Sequence, residues 1–349
     1  CIRDRSTAFN DLQTALSEAV YGQEIWVADG TYHPTTGTDR RESFNLKNGV
    51  KMYGGFAGNE TLQTQRNLLA KRTVLSGDIG VAGDMSDNSF SVVTARTLEP
   101  TTILDGFRIS GGRSSLSGAG ISGQNIYGTF ANLVVEGNWA DGDGGGADIF
   151  VSATKPNFGG TFDPDEINGP TWINCVFAGN RAQQGAGLRF SGSNAACRMV
   201  NCTFQGNHAS TTGGAVEQNT GEQFEIINSI IWNNMADDST TTTSASIAGS
   251  NTTITSSIVE NVTGMDPKFR RPIPPGDAPA TDALLRLEPG SPGLNAGDNS
   301  ANSLPTDILG RPRILNTSVD LGAYEGPAQT WHVNTNEQPD LTAESGENW

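Results

Sequence analysis

The sequence predicts an all-β fold, a parallel β-solenoid in which short strands stack coil upon coil. An asparagine-led phrase recurs at a fixed period: Asn174, Asn201 and Asn228 each open a copy, and 27 residues separate each asparagine from the next. A fixed period is the signature of a solenoid. A Gly-rich phrase recurs between the copies, and only 35% of the 349 residues are hydrophobic. That content suits a narrow apolar cylinder better than a globular core.

Each repeat combines a brief apolar strand, a Gly-Asn turn, small residues, a Gly-rich bend and a second apolar strand. The strand phrases occupy residues 132–138, 174–180, 201–207 and 228–234. The step between the first two copies exceeds one period, and the stretch 153–170, rich in Gly, Pro, Asp and Asn, accounts for the excess as an inserted loop. The strand residues are β-branched or aromatic, which is typical of strands.

Stacking brings equivalent positions of adjacent coils to about 4.8 Å from each other, so each repeated side chain forms a ladder. Asparagine tolerates left-handed backbone geometry at a turn, and stacked amides hydrogen-bond one another. We therefore expect structural ladders of asparagine along the solenoid. Their predicted members are Asn138, Asn180, Asn207 and Asn234 after the strand, and Asn174, Asn201 and Asn228 before it.

Residues 7–21 predict a helix, because apolar residues recur along one face. Ser6 or Thr7 is expected to cap its start, and Gly22 its end. Such a helix would plug the open end of the solenoid, where the first coil would otherwise expose its core and its unpaired backbone. Residues 24–28 then predict the first strand.

The chain divides into three parts. Residues 1–264 predict the parallel β-helix with its N-terminal cap, and the regular coils run from about 103 to 260. In residues 265–326, Pro- and Gly-rich phrases replace the repeat, which predicts an irregular segment associated with the β-helix. Residues 327–349 are polar with few apolar side chains and predict a tail or linker.

The net charge of −16 argues against a nucleic-acid partner, because binding to phosphates needs basic patches. An acidic surface most often serves solubility. The functional alternative is binding of Ca²⁺ or contact with a cationic partner.

Four cysteines occur in the chain. Cys175 and Cys202 occupy equivalent positions on adjacent coils, and the spacing between strands is wider than the roughly 3.8 Å between Cβ atoms that a disulfide prefers. We therefore expect buried thiols there, whereas Cys197 is either free or paired. Cys1 is a candidate site of lipidation, as in a mature bacterial lipoprotein; the alternative is that the numbered chain simply begins there. No apolar run is long enough to span a membrane.

The opening phrases, residues 12–16 and 22–32, resemble the cap and first coil of pectin-lyase-like right-handed β-helix proteins. The Phe-x-Gly-Asn and Gly-Gly-Ala-Val phrases are similar to the repeats of chlamydial polymorphic outer-membrane proteins. Residues 266–269, 287–297 and 319–325 resemble the choice-of-anchor segment of surface proteins. The resemblance implies a right-handed parallel β-helix, secreted or exposed outside a bacterial outer membrane.

Residues 141–148 are rich in Gly and Asp, as Ca²⁺-binding loops are, and the inserted loop adds carboxylates beside the same coil. A tight, solvated turn is the alternative interpretation. The candidate calcium ligands are Asp141, Asp143, Asp148, Asp163 and Asp165.

Three aromatic residues near the insertion, Phe158, Phe162 and Trp172, are candidates for a platform on which a sugar ring stacks. The alternative is that these side chains pin the inserted loop to the β-helix.

The sequence gives little support for catalysis. Lyases of the pectin-lyase-like fold need a Lys or Arg base near acidic side chains, and glycosidases need carboxylates about 5–9 Å apart. No convincing set of acidic residues recurs one period apart: Glu136 has Ala178 and Gln205 at its equivalent positions. Arg189 and Glu217, one coil apart, predict a surface ion pair worth under about 1 kcal/mol.

The sequence therefore favours a non-enzymatic structural or adhesive module, extracellular or on the cell surface, that contacts a glycan or a protein partner. The alternative is a polysaccharide lyase or glycoside hydrolase that acts on an extracellular polysaccharide. A third hypothesis is a lipoprotein subunit of a cell-envelope complex, attached to the membrane through Cys1. Ca²⁺ is the one cofactor that the sequence suggests.

Overall fold

The computed structural model describes residues 8–152, 167–219 and 221–326. These residues fold as a right-handed parallel β-helix, whose strands pair from coil to coil in four parallel sheets. Right-handed connections are the rule between parallel strands of one sheet. The predicted fold class is confirmed.

We number the sheets in the order in which one coil passes through them. Sheet 1 contains β1 (Glu24–Ala28), β4 (Lys51–Phe56), β7 (Ile103–Asp105), β11 (Thr129–Ala131), β15 (Thr171–Ile173), β19 (Ala196–Val200), β23 (Gln223–Ile227) and β27 (Thr252–Thr255). Sheet 2 contains β2 (Gly30–Tyr32), β5 (Thr73–Ser76), β8 (Phe107–Ser110), β12 (Val134–Glu136), β16 (Val176–Ala178), β20 (Thr203–Gln205), β24 (Ile230–Trp232) and β28 (Ile258–Val259).

The other two sheets complete each coil. Sheet 3 contains β9 (Arg113–Ser114), β13 (Trp139–Ala140), β17 (Arg181–Gln184), β21 (His208–Thr212) and β25 (Met235–Ala236). Sheet 4 contains β3 (Phe44–Leu46), β6 (Val93–Leu98), β10 (Ile121–Ile126), β14 (Ala147–Val151), β18 (Leu188–Gly192), β22 (Val216–Gln218) and β26 (Ile247–Ala248). A short helix, α2 (Thr243–Ser246), precedes β26.

Inward-facing side chains stack in columns that run through the β-helix. In sheet 2, Val135 pairs with Phe177 and Phe177 pairs with Phe204, and the two phenylalanine rings stack with centroids 4.6 Å apart. These residues belong to one continuous cluster of buried apolar side chains. The core is therefore shared between neighbouring coils, which cannot bury their apolar faces alone.

The N-terminal helix, α1 (Leu12–Glu18), is shorter than predicted. Asp11 caps its start by accepting a hydrogen bond from the Thr14 backbone N–H at 2.8 Å, so the predicted caps are wrong. Ser6 and Thr7 lie outside the described residues, and Ala19 rather than Gly22 is the C-cap. Leu12 and Leu16 are buried in the main core, so the helix covers the first coil.

Asn138, Asn180, Asn207 and Asn234 are fully buried at the bend between sheets 2 and 3. The Nδ2 of each of the first three donates to the Oδ1 of the next asparagine, with distances of 3.1, 3.0 and 2.8 Å along the series. The amide ladder also satisfies main-chain groups: the Asn207 Nδ2 donates to the Phe177 carbonyl at 2.9 Å. Left-handed backbone occurs at the other set, Asn174, Asn201 and Asn228, with φ of 53°, 54° and 51°.

Residues 266–326, which we call the clasp, fold back over the outer face of sheet 2. The clasp contains an antiparallel pair, β29 (Phe269–Arg271) and β30 (Leu284–Leu287). A second hydrophobic core lies between the clasp and sheet 2 and joins sheet residues such as Val176 and Ile230 to clasp residues such as Leu285 and Leu321. The segment predicted to be irregular and β-helix-associated thus covers one face of the solenoid.

Polar groups fix the position of the clasp. The Gln205 side chain accepts from the Ile273 N–H at 2.8 Å and donates to the Ile273 carbonyl at 2.6 Å. The second asparagine set contacts the clasp: Asn174 donates to the Thr306 carbonyl at 2.8 Å and Asn228 to the Asp298 carbonyl at 2.9 Å. This asparagine row therefore binds another part of the chain.

Gly179 shows how closely the clasp approaches the coils. Its φ of +56° lies in the left-handed region, and a Cβ there would lie 2.3 Å from the Ala280 carbonyl oxygen. Glycine meets both demands because it has no Cβ. The glycines before Asn138, Asn180 and Asn207 have φ of +62°, +56° and +68°, and a Cβ on each would meet the clasp.

The clasp buries charged groups at its C-terminal end. Arg313 is fully buried and donates to the Asp320 carbonyl at 2.9 Å, and its Nη1 lies 3.9 Å from the Glu325 carboxylate. Burial, and then the charge of Asp320, raises the pKa of Glu325 to about 7. Asp307 is buried too, and it accepts from Arg311 at 3.1 Å. These contacts are internal to the C-terminal end of the clasp.

The cysteines follow the prediction where the structure describes them. Cys175, Cys197 and Cys202 are free and buried, so the expectation of buried thiols at Cys175 and Cys202 is confirmed. Burial raises the pKa of the Cys175 and Cys197 thiols well above its ordinary value, which keeps both protonated and inert. Cys1 lies outside the described residues. None of the described helices has the length and apolarity needed to cross a bilayer.

Candidate functional site

Two rows of side chains point outward from sheet 2, because the residues between them, such as Ile109 and Val135, face the core. The strand pairings give their members. The first row is Thr31, Val74, Arg108, Val134, Val176, Thr203, Ile230 and Ile258. The second row is Ser76, Ser110, Glu136, Ala178, Gln205 and Trp232. Each row thus contains a single charged residue.

These two charged residues, Arg108 and Glu136, are ion-paired across adjacent coils. Glu136 is buried, and its other oxygen accepts from the Asp282 backbone N–H of the clasp at 3.2 Å. Burial raises the pKa of the Glu136 carboxyl, and the charge of Arg108 opposes that rise. Arg108 also lies 3.4 Å from the Asp282 carboxylate. The charged pair therefore joins sheet 2 to the clasp.

A cavity of about 100 Å³ lies beside this pair. Residues of β5, β8 and β12 line it from sheet 2, and Leu68 and residues of β30 line it too. Leu309 and Tyr324 of the clasp complete the lining. Three separate parts of the chain thus build a single concave site.

The lining of this cavity is cationic. Lys71, Arg72, Arg108 and Arg286 line it, and no carboxylate does, although the whole chain has a net charge of −16. Lys71 pairs with Asp29 at 3.2 Å on the exposed side. Partial burial, and then the charge of Arg108, lowers the pKa of Arg72 from its ordinary value, yet arginine remains protonated in proteins. The cavity is therefore suited to an anionic group.

Apolar and hydroxyl groups complete the lining. Leu68, Leu284 and Leu309 supply apolar surface beside the guanidinium groups. Burial raises the pKa of Tyr324 to about 12, so its phenol stays protonated at neutral pH and is available as a hydrogen-bond donor. A few charged groups among apolar walls are typical of small-molecule sites.

The candidate calcium ligands do not converge in the part of the chain that the structure describes. Asp141 pairs with Arg113 at 2.9 Å, whereas Asp143 and Asp148 contact Arg189 at 3.2 and 3.3 Å. Asp163 and Asp165 lie outside the described residues. Within residues 8–152, 167–219 and 221–326, no group of three metal-ligating side chains could hold an ion. The described aspartates form ion pairs with arginine side chains instead of a calcium site.

The predicted sugar-stacking role of Trp172 is wrong. Its side chain is fully buried, and its ring stacks on Phe130 with centroids 4.3 Å apart and meets Phe177 edge-on at 5.3 Å. A ring that is buried inside the β-helix cannot stack on a sugar. The other candidates, Phe158 and Phe162, lie outside the described residues.

The predicted ion pair between Arg189 and Glu217 also requires correction. The two residues are paired in register on adjacent strands of sheet 4. The Arg189 guanidinium, however, contacts Asp143 and Asp148 instead, because these two carboxylates lie on the preceding coil and its bend. Burial raises the pKa of Glu217, and Arg189 only partly opposes this.

No family model matches the sequence. No curated protein matches it either. Among solved structures, the chain is similar to the crystal structure of pectate lyase Pel9A, with 16% sequence identity over 90% of each chain and a TM-score of 0.32. The parallel pairing of strands from coil to coil, and not this similarity, shows the β-helix.

The cationic cavity was not predicted from the sequence. One signal was present: Arg108 occupies the position of Val134 and Val176 in the repeat, so a charge interrupts an otherwise uncharged row. Arg286 and Tyr324 carry no such signal, since they come from the clasp. Their approach to Arg108 depends on how the clasp folds back.

Proposed function

We propose that this chain is a non-enzymatic extracellular or cell-surface module that binds an acidic glycan at the cavity between sheet 2 and the clasp. The observation that carries the proposal is the lining of four cations and no carboxylates in a chain of net charge −16. An anionic ligand approaching an acidic protein is repelled almost everywhere, so a local cationic site gives it a defined place to bind.

The chemistry of the lining favours binding over catalysis. A Lys or Arg base in a lyase of this fold needs acidic side chains beside it, and no carboxylate lines this cavity. The Lys71 ammonium instead pairs with Asp29 on the exposed side. The lining groups are therefore suited to holding and orienting an anion.

A small concave site suits a sugar better than a protein surface. Stable protein interfaces bury about 800 Å² on each partner and are close to flat, whereas small-molecule sites are concave with a few placed polar groups. The lyase or hydrolase hypothesis differs from binding in that it requires release of shortened products. The lipoprotein-subunit hypothesis, based on Cys1, is the other alternative.

The test is binding of the purified chain to immobilised acidic polysaccharides and to neutral polysaccharides of similar backbone, with and without Ca²⁺. We expect binding to acidic polysaccharides only, weakened by added salt and lost in Arg72→Ala/Arg286→Ala. Arg198→Ala is the matched control, because this exposed arginine pairs with Glu225 on sheet 1, away from the cavity. Equal binding to neutral glycans would overturn the proposal, as would release of shortened, unsaturated products from the acidic polysaccharide.

A further inference from the structure

We propose that the last coil of the β-helix binds an extended segment of a separate, cationic polypeptide, which joins sheet 1 as a further strand. The surface for this segment is the outer edge of β27 (Thr252–Thr255), the last strand of sheet 1. It is distinct from the cationic cavity, whose sheet residues belong to β5, β8 and β12. Four observations carry the proposal: the open backbone, the contrast with the neighbouring edges, the residues of β27 and the charge around it.

The backbone of β27 turns half of its hydrogen-bonding groups away from the sheet. The Phe224 N–H donates to the Asn251 carbonyl at 3.0 Å, and Phe224 is paired with Thr252 in the parallel ladder. Successive residues of a strand turn their N–H and C=O groups to opposite neighbours, so those of Thr252 and Ile254 face away from β23. No described residue forms a backbone hydrogen bond with them on that side.

The adjacent edge strand, β28, is closed by its own turn. The Val259 carbonyl accepts from the Val262 N–H at 3.1 Å and from the Thr263 N–H at 2.9 Å. The Thr263 hydroxyl accepts from the Val259 N–H at 3.2 Å. At the other end of the β-helix, α1 covers the first coil. Within the described part of the chain, β27 is thus an edge strand without a comparable cover.

β27 also lacks the features that keep edge strands from pairing. Such strands commonly carry lysine or proline, or contain a bulge. The sequence of β27 is Thr-Thr-Ile-Thr, and it pairs with β23 in unbroken register. Ile254 packs against the main core and is only partly buried, so a further strand would cover apolar surface as well. The edge therefore fits an extended backbone, which binds by strand addition.

The charge of the last coils favours a cationic partner. All 22 Lys and Arg residues lie outside residues 199–267. That stretch contains seven acidic residues: Glu217, Glu222, Glu225, Asp237, Asp238, Glu260 and Asp266. Three of them, Asp237, Asp238 and Asp266, are exposed and belong to the last coil or adjoin it in sequence. Basic residues that flank an incoming strand would therefore be attracted to this end of the β-helix.

Charge also disfavours two other occupants of the edge. A second copy of this chain would bring the same acidic end against its own. Residues 327–349 contain Glu337, Asp340, Glu344 and Glu347 and no Lys or Arg, so the acidic end repels that segment too. A separate polypeptide with basic residues avoids both repulsions.

The first experiment is titration calorimetry of the full chain with three synthetic peptides. One alternates threonine and valine over six residues between terminal lysines. The second has glutamates in place of the lysines, and the third is the lysine peptide with all six central backbone nitrogens methylated. We expect the lysine peptide to bind, more weakly as salt is added. The other two should bind at least tenfold more weakly, because one lacks the charge attraction and the other lacks the N–H donors.

A pair of variants locates the binding at the edge. Thr252→Pro should lower the affinity for the lysine peptide at least tenfold, and proline is tolerated at edge positions whose N–H faces solvent. Thr253→Ala is the matched control, because its side chain is exposed and its backbone faces β23. Its affinity should be unchanged. Thermal melting checks that both variants are folded.

Amide exchange measured by NMR gives a readout that needs no variant. The Ile254 amide should exchange without protection in the free chain and become protected when the lysine peptide binds. Protection in the free chain would overturn the proposal, since a segment of this chain or a second copy would then occupy the edge.

Three binding results would overturn the proposal as well. They are no binding of the lysine peptide, equal binding of any two of the three peptides, and undiminished binding by a folded Thr252→Pro. Should Thr252→Pro not fold, the methylated peptide and the Ile254 exchange decide the question. Glycan binding at the cavity is independent of all these outcomes.

Discussion

Arg108 and Glu136 form an ion pair across adjacent coils of sheet 2, at the only charged positions in the two outward rows that its described strands form. Their neighbours in the rows include Val134, Val176 and Ala178. The Arg108 side chain is 23% exposed and that of Glu136 only 2%. The pair therefore lies between the apolar contact of sheet 2 with the clasp and the cationic cavity.

We predict that Arg108→Leu destabilises the protein by about 2 kcal/mol at neutral pH, because it leaves Glu136 buried without its counter-charge. The double variant Arg108→Leu/Glu136→Leu should be less destabilised than the single variant, since the surrounding rows are mainly apolar. Urea unfolding of the four proteins of the double-mutant cycle measures this coupling. A double variant whose losses simply add would show that the two charges are independent.

Interrupting the buried amide ladder should lower the free energy of unfolding. Asn207→Ala removes the acceptor of the Asn180 amide at 3.0 Å and the donor to the Asn234 amide at 2.8 Å. We expect a loss of about 3 kcal/mol in the free energy of unfolding, because buried polar partners are left unsatisfied. Gln183→Ala, at an exposed position of sheet 3, is the control and should stay within about 0.5 kcal/mol. Similar values for the two variants would refute a structural role for the ladder.

Gly179 should be more sensitive to alanine than glycines with the same backbone geometry elsewhere. Gly264 has φ of +67° and no atom within 4 Å of an added Cβ, whereas a Cβ at Gly179 meets the Ala280 carbonyl. We expect Gly264→Ala to cost about 1 kcal/mol from backbone geometry alone. Gly179→Ala should cost more and also speed hydrogen exchange in residues 273–285. Unchanged exchange there would mean that the clasp does not depend on this close approach.

The stability of the clasp should depend on pH through Glu325. The ordinary pKa of its carboxyl is 4.5, and burial followed by the Asp320 charge raises it to about 7. Between these values the folded state binds more protons than the unfolded state, so the free energy of unfolding falls as pH rises from about 4.5 to about 7. The contribution of a full shift of this size is on the order of 3 kcal/mol.

The measurement for this prediction is the difference in melting temperature between the natural chain and Glu325→Gln across pH 4–8. We expect the variant to lose the part of the decline that falls between about pH 4.5 and 7, because its amide does not titrate. Parallel pH profiles for the two proteins would show that Glu325 is not the group responsible.

The sequence by itself determined the solenoid, because equivalent positions of successive repeats stack on one another. The 27-residue step between Asn180 and Asn207 states which side chains stack, and stacking then determines the amide ladder and the burial of Cys175 and Cys202. The same logic failed for Trp172, since the periodic pattern did not show that its ring points into the core against Phe130.

Only the tertiary structure decided what lies outside the coils. The clasp has no period, so nothing in the sequence tells that Ile273 meets Gln205 or that Tyr324 approaches Arg108. Contacts between segments so distant in sequence, 68 residues for Gln205 and Ile273, depend on how a non-repeating chain packs its apolar side chains against sheet 2. The cationic cavity lies at the edge of the apolar contact between the clasp and sheet 2. The repeat therefore predicts the fold, but it does not predict this site.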